Sequence, residues 1–219
     1  MTPANIIGMA KLKELDVIAI TDHNTCQNCG PAMQLGEEYG VLVLPGMELT
    51  TEEEVHVVCL FSELNNALAF DEYVYQKLIK VRNNEDIFGK QLVVDAKERI
   101  LRHEWYLLIN ATSISFSQVY ELTARFHGIM IPAHIDKSSN SLLSNLGFVP
   151  PDSQFECVEI KDESKVTGLL RSNPYLQGCK VITNSDAHTL MDINEPIHCL
   201  HAVEKTRASV LQALARTCT

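Results

Sequence analysis

Short apolar runs alternate with amphipathic segments along the whole sequence, and this alternation constrains the fold more than any other feature. The runs are rich in β-branched residues and apolar throughout, as in strands that are covered on both faces. Strands that alternate with helices predict βα units around a parallel sheet, and therefore an α/β fold. The predicted strands are Val17–Ile20, Val41–Leu44, Val55–Phe61, Gln91–Val94, Tyr106–Ile109, Ile129–Ile131, Cys157–Ile160, Lys180–Thr183 and Pro196–Ala202. The predicted helices are Pro3–Glu14, Pro31–Tyr39, Leu64–Lys80, Ser117–His127, Ser139–Leu146, Glu163–Leu170 and Arg207–Ala215.

Length, charge and cysteine content bound the function. A chain of 219 residues suits one domain over residues 1–219, in which the weakly patterned residues 83–104 form an insertion or lid. No apolar run approaches the roughly 18 residues of a membrane span, so we expect no membrane partner. A net charge of −10 makes nucleic acid an unlikely partner. Seven cysteines, an odd number, and no signal peptide favour a reducing cytoplasm.

Polar side chains follow four of the predicted strands, and a histidine lies inside a fifth. The functional groups of parallel α/β folds gather at the carboxyl ends of the strands, so these side chains are expected at one rim. They are Asp22 and His23, Glu48, His134, Asp186 and His188, with His56 inside the strand that begins at Val55.

Imidazoles and carboxylates that converge from separate strands are typical of sites for divalent ions such as zinc, manganese or iron. A carboxylate can bridge two ions, and Glu48 is the natural candidate. Two neighbouring ions would activate a shared water and hold a phosphoryl group. Taken singly, each residue also has a structural explanation: His56 could be a core histidine, and Asp22 or Asp186 could cap a turn or a helix.

Two further features leave alternatives open. Lys137 and Ser138 follow His134 and could bind a substrate phosphate, but Ser138 or Ser139 could equally cap the next helix while Lys137 is solvated. Cys26 and Cys29 form a single Cys-x-x-Cys pair, which is too few cysteines for a four-Cys zinc site. Because the next helix is predicted to begin only at Pro31, we favour incidental thiols over a redox pair.

Five motifs together resemble the PHP family, the metal-dependent phosphoesterases of the polymerase and histidinol phosphatase type. They occur in the family's order and cover nearly the whole chain. They are Thr21-Asp22-His23-Asn24, Pro45-Gly46-Met47-Glu48, Glu54-Val55-His56, Pro132-Ala133-His134-Ile135-Asp136 and Asn184-Ser185-Asp186-Ala187-His188. The resemblance implies a distorted (β/α)7 TIM-like barrel with up to three metal ions at its carboxyl rim.

The resemblance also implies a role for each matching residue. Glu48, His56 and His134 would hold one ion, and Glu48 would bridge to a second ion that Asp186 shares. His23 and His188 would help to hold a third ion. A bridging water would be the nucleophile, and Asp22 is a candidate catalytic residue that would act from behind the ligands.

The sequence departs from the family pattern at its front, where family members have a strand that ends in Asp-x-His-x-His. This chain opens on a helix at Pro3, with Thr2 as its N-cap. We therefore expect the first barrel strand to be missing, its codons to lie upstream in frame, and only one metal site to have all its protein ligands.

Three function hypotheses follow. The first is hydrolysis of a phosphate ester in a small metabolite or nucleotide by metal-activated water. The second is a truncated, non-catalytic metal-binding PHP remnant, and the third is an amidohydrolase-type barrel that acts on C–N bonds. The sequence does not specify which metal, which ester or which oligomeric state applies.

Overall fold

The structure is a computed structural model that describes residues 1–215, and these residues form a mixed α/β fold. The strands are β1 (Val17–Ile20), β2 (Leu42–Thr50), β3 (His56–Phe61), β4 (Gln91–Val94), β5 (Ile100–Glu104), β6 (Gly128–Pro132), β7 (Cys157–Glu159) and β8 (Lys180–Ile182). The α-helices are α1 (Pro3–Leu12), α2 (Cys29–Tyr39), α3 (Leu64–Lys77), α4 (Glu85–Phe88), α5 (Phe116–Arg125), α6 (Leu142–Leu146), α7 (Val166–Ser172) and α8 (Arg207–Ala215). Short 3-10 helices cover Glu163–Lys165, Pro174–Gly178 and Leu190–Asp192.

The main sheet has the strand order β1-β2-β3-β6, and β3 runs against both of its neighbours. β1 and β2 are parallel, as are β7 and β8, whereas β4 and β5 form an antiparallel pair. The prediction of an all-parallel sheet is therefore wrong at β3. Residues 51–55 are too few for a parallel crossover, so β3 must return beside β2 as a hairpin. Within residues 1–215 the strands do not close into a barrel.

The strand predicted to end at Leu44 continues to Thr50 because β2 changes its neighbour partway along. It pairs with β1 as far as Pro45 and with β3 from Gly46 onward. A Cβ at Gly46 would lie 2.8 Å from the carbonyl oxygen of Cys59, so only glycine lets the two strands approach this closely. The Pro-Gly pair therefore marks a change of pairing rather than a turn.

Buried apolar side chains cover the main sheet on both faces, which explains why its strands are apolar throughout. The larger cluster contains side chains of α1, α2, α3 and α5, including Ile7 and Phe70. On the other face, Val210, Leu211 and Leu214 of α8 pack against Leu44 and Ile131. No helix within residues 1–215 combines the length and hydrophobicity needed to cross a bilayer.

Two predicted strands are not strands in the structure. The first is Tyr106–Ile109, which contacts the side-chain amide of Gln91. The amide nitrogen donates to the carbonyl oxygen of Tyr106 at 2.7 Å, and the amide oxygen accepts from the backbone N–H of Leu108 at 2.8 Å. A side chain therefore satisfies these backbone groups, and Tyr106 makes only an isolated bridge to Arg82. Residues Pro196–Ala202 lie exposed, with Ile197 72% accessible, and form no ladder within the described residues.

The segment proposed as an insertion, residues 83–104, contains α4 and the β4–β5 hairpin. Asn28 anchors the hairpin, since its side chain donates to the carbonyl oxygen of Leu92 and accepts from the N–H of Val94, both at 3.1 Å. The hydroxyl of Tyr75 on α3 donates to Glu104 at 3.0 Å. The hairpin is therefore attached at both of its strands.

Candidate metal centre

Glu48 is buried and lies at the centre of a group of three histidines, of which His56 and His134 are buried and His23 is partly exposed. One carboxylate oxygen, Oε1, lies 3.2 Å from His56 Nδ1 and 3.3 Å from His134 Nε2. The other, Oε2, lies 3.2 Å from His23 Nδ1. The structure therefore brings together four of the six metal ligands that the sequence predicts.

The sheet itself places three of these side chains. His23 lies three residues after the end of β1 and bridges to Glu48, and the N–H of Asn24 donates to the Glu48 carbonyl at 3.0 Å. His56 stands opposite Thr50, two residues beyond Glu48, so the Glu48 and His56 side chains share a face of the β2–β3 hairpin. Because β3 is antiparallel, its first residue lies at the edge where β1 and β2 end.

His134 enters the centre just after β6, in a strained backbone conformation. Its φ angle is +33°, which non-glycine residues rarely adopt. Its N–H donates to Glu159 Oε1 at 3.1 Å, and the N–H of Ile135 donates to the Glu159 carbonyl at 3.0 Å. These two bonds hold the turn that directs the imidazole toward Glu48.

Glu159 is a site residue that the sequence interpretation missed. It is buried, and its second oxygen accepts from Asn184 Nδ2 at 2.7 Å. Burial raises the pKa of Glu159, and the Asn184 bond opposes that shift. The signal was weaker than for Glu48 and Asp186, because those residues follow their predicted strands, whereas Glu159 lies inside the predicted strand Cys157–Ile160, one residue before its end.

The electrostatics of the centre suit a bound cation. Burial alone would raise the pKa of Glu48, but hydrogen bonds from His134 and His56 and the nearby imidazoles outweigh it, and the pKa falls well below its usual range. Burial lowers the pKa of His23 against the opposing influence of Glu48. An ionised carboxylate beside a neutral imidazole is the protonation state in which both groups bind metal.

Two buried nitrogens support the same conclusion. Within residues 1–215, His56 Nε2 and His134 Nδ1 have no hydrogen-bond partner, and leaving such groups unsatisfied is costly. One ligand atom each from His23, Glu48 and His56 lie within 4.8 Å of one another. Imidazoles with one carboxylate suit zinc, manganese or iron, so the residues present fit a divalent ion.

Asp186 and His188 lie beside this group. Asp186 makes a short ion pair with the ammonium group of Lys137 and lies 3.9 Å from Lys161 Nζ. His188 Nδ1 is 3.7 Å from Asp186 Oδ1, and its ring centroid is 6.0 Å from that of His23. His188 is mostly exposed, so it lies at the mouth of the site.

Asp22 and Ser138, the remaining predicted site residues, lie in different surroundings. Asn28 Nδ2 donates to Asp22 Oδ2 at 3.3 Å, and burial raises the pKa of Asp22. Ser138 is exposed. The cap of α6 is Ser141, which accepts from the N–H of Ser144 at 3.2 Å, so the alternative that Ser138 or Ser139 caps this helix is wrong.

A cleft of about 890 Å³ opens beside the centre. Its lining includes Asp22, His23 and His188 beside the metal group, and Arg102 and Trp105 of the β5 region. The metal group is therefore accessible to a molecule larger than water.

The Cys-x-x-Cys pair lies behind the site. α2 begins at Cys29 rather than at Pro31, and both Cys26 and Cys29 are fully buried. Burial and the contact with Cys29 raise the pKa of Cys26 well above its usual value. The start predicted at Pro31, from which incidental thiols were favoured, is therefore wrong, and the burial of a protonated, unreactive thiol is what now favours that interpretation.

The fold is that of PHP-like metal-dependent phosphoesterases. The lesion-specific endonuclease PfuEndoQ from Pyrococcus furiosus superposes with a TM-score of 0.60 and 16% identity, over 98% of this chain and 51% of that one. A proposed metal-dependent phosphoesterase from Bifidobacterium adolescentis gives 0.58 and 16%, over 86% and 82% of the two chains. A two-domain Bacteroides vulgatus protein with a predicted PHP-like phosphoesterase gives 0.54 and 13%, over 97% and 57%.

Sequence comparison adds little about function. No protein-family profile matches the chain. An uncharacterized protein of Methanocaldococcus jannaschii is 38% identical over 73 residues, which are 33% of this chain and 43% of that protein. The resemblance to the PHP family is thus supported at the level of the fold.

Proposed function

We propose that the chain is a metal-dependent hydrolase of phosphate esters. The observation that carries the proposal is the buried Glu48 carboxylate, which has three imidazole nitrogens within 3.3 Å of its oxygens. A centre of this composition at the end of a sheet, beside an open cleft, is suited to hydrolysis. The likeness of the fold to metal-dependent phosphoesterases favours phosphate esters as the substrate class.

His23, Glu48, His56 and His134 are the residues that would hold the ion. A divalent ion held by these residues would supply an activated water and a positive charge for the phosphoryl group. Glu159 keeps the His134 turn in place, and the cleft orients the ester toward the centre. Lys137 supplies positive charge beside the phosphate.

A small phosphorylated metabolite or nucleotide is the substrate that the net charge favours. A nucleic acid is the second candidate, because a lesion-specific endonuclease shares the fold over 98% of this chain. Arg102 and Trp105 on the cleft wall are a cation and an aromatic ring, the side chains that contact phosphates and bases. Assays with a small phosphate ester and with a nucleic acid therefore distinguish the two candidate substrates.

The test combines metal content with substrate profiling of the full chain. Protein purified without chelators is analysed for metal, then assayed with a phosphate monoester, a phosphate diester and a duplex with an abasic site. We expect bound divalent metal and hydrolysis of one of these esters. Glu48→Gln and His56→Ala should lose both, whereas His198→Ala, a histidine outside the centre, should keep both.

Three outcomes would contradict the proposal. Metal without hydrolysis of any ester would favour a non-catalytic metal-binding protein. Hydrolysis confined to C–N bonds would favour an amidohydrolase. Equal metal content in the parent protein and the Glu48→Gln variant would show that Glu48 is not part of a metal site.

A further inference from the structure

Asn24 directly follows the candidate ligand His23 and is buried, with 1% of its surface exposed. Its φ angle is +50°, in the left-handed region that asparagine enters more readily than most other residues. Its N–H donates to the Glu48 carbonyl at 3.0 Å, and its Oδ1 accepts from the N–H of Thr50 at 2.9 Å. Asn24 therefore fixes the loop that carries His23 against the part of β2 that carries Glu48.

The amide nitrogen of Asn24 bonds a turn in the wall of the cleft. We call residues 107–110 the cleft turn, because the first three of them line the cleft. The N–H of Asn110 donates to the carbonyl oxygen of Leu107 at 3.2 Å and closes the turn. Asn24 Nδ2 donates to the carbonyl oxygens of Leu108 at 2.7 Å and of Asn110 at 2.9 Å. One amide group therefore holds the cleft turn at two points.

The other attachments of the cleft turn lead away from the metal centre. Gln91 Oε1 accepts from the N–H of Leu108 at 2.8 Å, and Asn110 Nδ2 donates to the carbonyl oxygen of Ile79 at 2.7 Å. These bonds attach the turn to β4 and to the segment after α3, which supply no proposed ligand. Within residues 1–215, the hydrogen bonds between the cleft turn and the loop after β1 all come from Asn24.

We propose that Asn24 is a positioning residue that couples the metal centre to the cleft turn. One side chain fixes the loop of a candidate ligand and also holds a surface that a substrate would contact, so each end influences the other. Ligation of His23 would fix the loop after β1 and, through Asn24, would order the cleft turn. The inference rests on the proposed function, because it concerns how the same centre prepares the cleft for a substrate.

The test measures amide hydrogen exchange of the full chain with and without added zinc, so that it needs no turnover. In the parent protein, zinc should slow exchange in residues 107–110 about fivefold or more, as is usual for coupled sites. Asn24→Asp keeps the acceptor for the Thr50 N–H but removes both donors to the cleft turn. This variant should still bind zinc and should lose the zinc-dependent slowing.

Asn24→Gly tolerates the left-handed backbone but removes both attachments, so its zinc affinity should also fall, by about tenfold. Asn110→Ala is the matched control, because it removes the bond to Ile79 and leaves the bonds from Asn24. It should keep the parent's zinc affinity and the zinc-dependent slowing. A merely structural role of Asn24 would speed exchange equally with and without zinc.

Three results would overturn the inference. They are zinc-dependent slowing in Asn24→Asp equal to that of the parent, an unchanged zinc affinity in Asn24→Gly, and a parent protein in which zinc does not slow exchange of the cleft turn. Zinc-dependent slowing that requires Asn24, in a protein that hydrolyses no ester, would contradict the proposed function and leave this inference standing.

Discussion

The backbone N–H of His134 donates to the buried carboxylate of Glu159 at 3.1 Å, and this bond holds a metal-ligand candidate in a left-handed conformation. The same carboxylate accepts from Asn184, so one side chain joins the loops that follow β6 and β8. The position of the His134 imidazole therefore depends on Glu159, although within residues 1–215 Glu159 makes no hydrogen bond to Glu48.

Glu159→Gln should destabilise the fold. A glutamine keeps one acceptor but turns an NH₂ group toward a donor, and a buried donor without a partner costs about 1–3 kcal/mol. Chemical denaturation should give an unfolding free energy lower by that amount. Glu163→Gln, an exposed carboxylate paired with His198, is the control and should change little. Equal losses in the two variants would contradict the role of Glu159.

Removal of bound metal should lower the melting temperature. An ion that binds only the folded state adds about 2.7 kcal/mol at one hundred times its Kd, which is roughly 5–10 °C for a chain of this length. Thermal melts with and without chelator measure the shift. His56→Ala lacks a ligand and should melt at the same temperature under both conditions. A parent protein insensitive to chelator would speak against a metal centre.

Asn28→Ala should loosen the β4–β5 hairpin. The side chain bonds Leu92 and Val94 of β4 as well as Asp22, so its loss leaves two backbone groups of the hairpin without their partner. We expect faster amide hydrogen exchange in residues 90–105 and a loss of about 1–3 kcal/mol in stability.

Asn173→Ala is the control for this prediction, since the Asn173 side chain bonds the carbonyl oxygen of Leu169 within its own helix end. Its effect on exchange in residues 90–105 should be nil. Unchanged exchange of the hairpin in the Asn28 variant would show that other contacts hold it.

The buried cysteines should resist thiol reagents until the protein unfolds. Burial raises the pKa of Cys59 and of Cys157 to about 12, so only about one of these thiols in ten thousand is ionised at pH 8. Cys199 is exposed and should react first, and its modification should disappear in Cys199→Ser.

This experiment is best done in a Cys218→Ser background, because Cys218 lies outside the described residues. Peptide mapping after a short exposure to reagent identifies the modified sites. Since a raised pKa keeps the thiol neutral, reactivity should grow as the pH rises. Modification of Cys59 at the rate of Cys199 in folded protein would contradict the burial.

The periodic parts of the fold were predictable from sequence. β1 and β4 begin and end at the predicted residues, and α8 begins at Arg207 as predicted, because their first and last described residues are flanked by polar or turn-forming residues. Thr2 caps α1 as expected, accepting from the N–H of Asn5 at 3.4 Å. Local patterns of this kind depend on residues that are neighbours in sequence.

Features that depend on distant partners were not predictable in the same way. Whether Tyr106 joins a ladder is decided by the side chain of Gln91, which lies fifteen residues away. The contact between Lys161 and Asp186 was also missed, because it forms only when the segments after β7 and β8 lie side by side. Glu159 was missed because it lies inside the predicted strand Cys157–Ile160 rather than after it, and its bond to the N–H of His134 joins residues that are far apart in sequence.

The antiparallel course of β3 makes the centre sensitive to chain length at one place. Glu48 and His56 lie on the two arms of a single hairpin, so losing or gaining one residue between Thr51 and Val55 would shift the pairing and turn one ligand to the opposite face. The β4–β5 hairpin supplies none of the four proposed ligands, so its length is free of this constraint. Insertions and deletions should therefore be tolerated unequally in this protein. The turn between Glu48 and His56 must keep its length for both ligands to face the centre, whereas the β4–β5 hairpin at the cleft can change in length.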